Sequence, residues 1–165
     1  MTSMMRVLVS GSLASIAAAL TLAAASKCER HAAAQPLNAT SHWLHGDAAA
    51  GRTGIDWPHT GVGYATHHVA TLLWAGFFEA LRRWSSRSDP AAVVRDAAIA
   101  STTAAIVDYT ITPHRLTPGW ELVLRKRSMA LAYAAMAAAF VATEYLFPAR
   151  KRERDHRDGL QRQPS

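Results

Sequence analysis

The stretch GVGYATHHVATLLWAGFFEAL, residues Gly61–Leu81, decides how the chain is read. From Val62 onward it has the ~20 residues needed to cross ~30 Å of hydrocarbon as a helix. It nevertheless carries His67, His68 and Glu79. Ionisable groups in a span are costly, so they face a bundle interior or the headgroups rather than lipid tails. One such segment predicts others that shelter it.

Three further apolar blocks are present. Val7–Ala25 is uncharged and flanked by Arg6 and Lys27. Ala91–Ile111 follows Asp89–Pro90, a side-chain cap with proline at the first helical position. Ser128–Phe147 is alanine-rich, carries Glu144 near its end and is stopped by Pro148. The fold class predicted is all-α: a polytopic transmembrane helical bundle with spans at about 7–25, 62–81, 91–111 and 128–147. The membrane domain covers 1–148, including a polar, irregular connection at 26–61. Residues 149–165 form a charged tail whose composition predicts disorder.

Finer expectations follow from local signals. Thr40 or Ser41 is expected to cap a short helix over His42–His45. Thr117–Pro118 is expected to open the last helix, with Glu121 in its first turns and 118–127 as an interfacial lead-in. Trp43 and Trp57 suit a membrane–water interface. Gly11, Ser15 and Ala19 form a small-residue seam that lets helices approach closely, which points to a homo-oligomer or to other membrane proteins as partners. The first block also fits a cleavable secretory signal ending at Ala23–Ala25. Its core is longer than the usual 7–15 residues, which favours a retained span.

The 165 residues carry a net charge of +6. The basic residues gather at the edges of apolar blocks (Arg82, Arg83 and Arg87; Arg125–Arg127; Arg150–Arg152), as lipid headgroups and the positive-inside effect require. No aromatic residues interleave with them along a soluble face, so the lipid bilayer, not nucleic acid, is the expected partner. With both ends on one side, that side holds eleven Lys and Arg against seven on the other, which places both termini in the cytoplasm. The single cysteine, Cys28, cannot form an internal disulfide or a CxxC site. Lys27 stands where a lipoprotein signal needs a small residue.

Two polar layers are expected inside the bundle. Counting outward from the 82–90 turn places Glu79 level with Arg95 and Asp96, with Glu144 joining them; Arg82, Arg83 and Arg95 neutralise the acids. In the other layer His68 is expected to meet Asp108 or Tyr109. Tyr64, His68, Thr71, Ala75 and Glu79 fall on one helix face, with His67 off it beside Trp74 and Phe78. His42, His45 and His59 emerge on the same side as His67 and His68. These five histidines near one interface could hold a divalent transition metal, or handle protons with Asp108, Tyr109 and Glu79 as hydrogen-bond partners. His42-x-x-His45 lacks the glutamate of a metalloprotease helix, and no serine lies in a nucleophile elbow.

The motifs PLNATSHWLHGD (36–47), HTGVGYATHH (59–68) and DYTITPHRLTPGWE (108–121) resemble a group of small four-span bacterial inner-membrane proteins. The resemblance spans most of residues 5–147. It implies the membrane location and carries no activity with it. The function expected is a non-enzymatic structural, assembly or stress-related membrane component. A metal- or proton-handling protein built on the histidines and Asp108 comes second, and a membrane-embedded enzyme third.

Overall fold

A computed structural model describes residues 2–85 and 89–147; the expected turn at 86–88 with Arg87, the stop at Pro148 and the tail at 149–165 lie outside the described residues. The described chain is helical: α1 (Ser3–Cys28), α2 (Gln35–Thr40), α3 (His42–His45), α4 (Val62–Trp84), α5 (Pro90–Ile106) and α6 (Lys126–Leu146). Short 3-10 turns lie at Asp47–Gly51, His114–Leu116 and Trp120–Leu122, and wider π turns at Trp57–Gly61 and Val107–Ile111.

The four long helices pack in a closed ring: α1 touches α4 and α6, and α5 touches the same two. Small residues set the spacing. Along α1, Ser10, Gly11, Ala14, Ser15, Ala18 and Leu22 recur every three or four positions and are buried. Phe78 and Phe140 stack at 4.9 Å where α4 meets α6. Outward faces are apolar: Leu13, Ile16 and Leu20 on α1, Val69 and Leu73 on α4, Ile99 and Ile106 on α5, and Leu131 on α6 are exposed.

Three helices are long and apolar enough to cross a membrane: Ser3–Cys28, Pro90–Ile111 and Lys126–Leu146. The fourth expected span, 62–81, is helical as predicted, yet α4 is not among the three. Its polar residues explain this. His67, His68 and Glu79 lower its mean hydropathy and Arg82 and Arg83 close its last turn, while its outward face at Val69 and Leu73 stays apolar.

The expected seam of Gly11, Ser15 and Ala19 is consumed within the chain. A Cβ at Gly11 would lie 3.0 Å from the Cα of Leu72 and 3.2 Å from Ala75 on α4. The predicted layer of acids and bases is also present, with an organiser that the counting did not include. Arg6 donates from Nε to Glu79 at 2.9 Å, from Nη2 to Glu144, and from Nη1 to the Phe147 carbonyl at 2.7 Å. Arg82 pairs with Asp96 at 2.8 Å, as does Arg95. Arg83 instead donates to the carbonyl of Glu79.

At the opposite end, residues 29–61 and 112–125 fold over the ring. Asp89 caps α5 as expected, accepting the Ala92 N–H at 3.0 Å. The expected start of the last helix is different. Thr117–Pro118–Gly119 turns away from a helix, because Gly119 adopts φ +76° against the Ala39 carbonyl. A single 3-10 turn follows, and α6 begins only at Lys126, so 118–127 is not one lead-in helix and Arg125–Arg127 are exposed at the start of α6. Ser41 precedes the helix at His42–His45, but its hydroxyl donates to Asn38 rather than capping. Glu29 ties the end of α1 to the start of α6: the Ser128 hydroxyl donates at 2.5 Å and the Arg125 N–H at 3.1 Å, which holds the carboxyl below its ordinary value.

Removing one partner of a buried ion cluster leaves the others uncompensated, at ~3–5 kcal/mol. Arg6→Met is therefore expected to destabilise the protein by about that amount in denaturant unfolding followed by circular dichroism in detergent. Adding Glu79→Gln and Glu144→Gln should recover much of the loss. No recovery would show that Arg6 acts through packing alone.

Candidate functional site

Where the ring meets its cap there is a cavity of about 320 Å³. Its walls come from three of the four long helices and the segments over them: Ala18 of α1, Thr40 and Trp43 of the connection, His67 and Trp74 of α4, Asp108 of the π turn, Trp120 of the cap, and Tyr133 and Met136 of α6. Most of its surface is carbon. A π turn is a local widening often found at functional sites, and Val107–Ile111 is the one that carries Asp108 and Tyr109.

The aromatic rings form a continuous run. His67 lies 5.6 Å from Trp120, Trp120 lies 5.5 Å from Tyr133, and Tyr133 meets Tyr109 edge-on at 6.4 Å. The Tyr133 hydroxyl donates to Asp108 Oδ2 at 2.6 Å. Glu121 lies within electrostatic reach of Asp108, and its Oε1 accepts the Thr117 hydroxyl at 2.5 Å. Among the described residues neither acid has a basic partner.

The hydrogen-bond donors around the cavity are largely spent elsewhere. Trp43 donates to Thr66, and Trp120 to Thr40, each at 3.1 Å. His67 Nε2–H donates to the Ser15 carbonyl at 3.1 Å. The hydroxyls of Thr40, Thr66 and Thr71 donate back to carbonyls one helical turn earlier. What remains is the aromatic surface, the Trp74 indole and the second oxygen of Asp108.

The five histidines separate into four places. His42 is buried in the cap, donating to the Thr117 carbonyl at 2.9 Å, with Asp47 at 3.3 Å. His45 and His59 stack at 4.6 Å; His59 lies over Asp56, whose carboxyl its backbone N–H and ring hold below the ordinary value. His67 lines the cavity. His68 is half-buried, stacked on Tyr64 at 5.8 Å. Among the described residues no three His, Cys, Asp or Glu side chains converge as a metal requires.

The expected facing of α4 is therefore corrected. Among its buried residues, Gly63, His67, Thr71, Ala75 and Glu79 step by four, with Phe78 beside them, so the buried stripe slants around the helix. Near its start α4 packs against α2, where a Cβ at Gly63 would overlap the Leu37 carbonyl. That contact turns His67 inward and leaves His68 to Tyr64. Asp108 does line a shared site, but with His67 as the histidine there. Glu79 belongs to the Arg6 layer at the other end.

Sequence reading missed Trp74, Trp120 and Tyr133. The available signal was the set of tryptophans flanking apolar blocks, together with a phenol on α6 at the depth of Asp108. Compared with known proteins, the chain matches no family model, no curated protein and no solved structure.

The bond between Tyr133 and Asp108 makes a specific prediction. A hydrogen bond to a charged group contributes ~1.5–3 kcal/mol, so Tyr133→Phe and Asp108→Asn should each destabilise. Their combination should cost less than the sum by ~1 kcal/mol or more in a double-mutant cycle. Strict additivity would mean that the two groups do not support each other.

Proposed function

We propose that the chain is a four-span protein of a bacterial inner membrane, with both termini cytoplasmic, that holds a small molecule in the cavity without transforming it. One observation carries this reading: a built, mostly apolar cavity with a carboxylate in its wall, the usual form of a small-molecule site. The placement of polar residues supports four spans. In α4 the polar groups Thr71 and Glu79 turn inward and Val69 and Leu73 turn outward, the distribution a span needs in lipid. The excess of Lys and Arg at the Arg6 end supports cytoplasmic termini. The cavity then lies beneath the opposite headgroup layer.

Cys28 is exposed and is the chain's single cysteine, at the end of α1. A membrane-impermeant maleimide should label it in spheroplasts and not in inverted membrane vesicles. Ser85→Cys in a Cys28→Ser background should show the reverse, because α4 lies between the two positions. Labelling of both from the same side would remove α4 as a span.

The binding role has its own measurement. Native mass spectrometry of protein extracted in native-membrane discs should show a small-molecule adduct. Ala70→Trp, which places an indole in the cavity wall, should remove it. An adduct of equal mass and occupancy in the variant would place the molecule elsewhere.

A further inference from the structure

The cavity's chemistry specifies its occupant more narrowly, on the reading that it is a ligand site. Three indoles and a phenol meet there, and two of the indole N–H groups are already bound by threonines. The site thus presents chiefly aromatic carbon to a ligand, with few donors besides the Trp74 indole N–H. An anion would find no basic partner, and Asp108 would repel it. A neutral polar molecule that needs donors would find few.

Asp108 supplies the opposite preference. Its Oδ2 accepts from Tyr133, and its Oδ1 has no partner among the described residues. Glu121 adds a second acidic group within electrostatic reach, and among the described residues no salt bridge compensates either one. A part-buried carboxylate with one hydrogen bond and no basic partner among the described residues gains from a cation beside it. A bare metal ion is a poor candidate, because a single carboxylate amid carbon cannot provide a hard cation's oxygen shell. A cation wrapped in methyl or methylene groups satisfies both features at once: aromatic faces attract its diffuse charge, and its alkyl surface fills the apolar walls.

We infer that the cavity binds a small alkylated ammonium, with Trp43, Trp74, Trp120 and Tyr133 enclosing the alkyl groups and Asp108 as the counter-ion. The volume of about 320 Å³ suits one small ligand rather than a lipid with its chains. No covalent step is involved.

The test is calorimetric titration of the full chain in a maltoside detergent with choline and with tetraethylammonium. Choline's uncharged isostere, 3,3-dimethyl-1-butanol, is titrated alongside. The ammonium compounds should bind at least about tenfold more tightly than the isostere. Asp108→Asn keeps the side chain's shape and should abolish that preference, with an unchanged circular dichroism spectrum. Trp74→Leu should weaken ammonium binding while leaving Asp108 in place. Equal binding of choline and its isostere would overturn the ammonium inference yet keep the cavity as an apolar site. Binding of neither, with an empty cavity in the native mass spectrum, would remove both readings. A preference for choline that survives Asp108→Asn would move the counter-ion away from Asp108 and overturn the assignment.

Discussion

Arg6 is the joint on which the bundle depends. It lies only 6 % exposed, yet its guanidinium reaches two carboxylates on two other helices and a carbonyl beyond the last. A planar fork with several fixed donors suits this position better than a lysine ammonium would. The acids it binds, Glu79 and Glu144, belong to segments that would otherwise be apolar at that depth. Their presence fixes the register of α1, α4 and α6 together, because sliding any one helix by a turn would strand a charge. The small residues of α1 then allow the close approach that the ion pairs demand.

Fixing one end of the ring leaves the other end free to widen, and there the polar cap takes over. Gly63 and Gly119 let the connecting segments come against backbone carbonyls of the 26–61 connection. His42 and Trp120 then bolt those segments to each other through the Thr117 carbonyl and the Thr40 hydroxyl. The cavity is the space beneath this cap. It persists because its walls are large rings held by their own hydrogen bonds, which cannot collapse inward without breaking them.

Much of the fold was legible in the sequence because it rests on local chemistry. Apolar length marked the four long helices, Asp89–Pro90 marked the start of α5, and antiparallel counting placed Glu79, Arg95, Asp96 and Glu144 at one level. What was not legible depends on long-range contact. Arg6 read as a flank because its partners lie 73 and 138 residues away. His68 was read as the inward histidine and His67 as off the face, the reverse of the structure, since the buried stripe of α4 slants toward a short helix the sequence does not announce. Thr117–Pro118 carries a valid start signal, overruled by a left-handed glycine two residues later. Asp108 was visible as a polar group in a span, but the rings around it gather from separate segments.

The Arg6–Glu144 pair also bears on the order in which the protein is made. Arg6 leaves the ribosome first, and Glu144 lies 138 residues behind it. At ~5–20 residues per second the wait between them is roughly 7–30 s. For that interval the first helix holds a guanidinium with part of its partner set missing, and the ring cannot close. Closure of the ring therefore waits for α6. A ribosome that stalls before α6 leaves an open bundle in which Arg6 lacks Glu144.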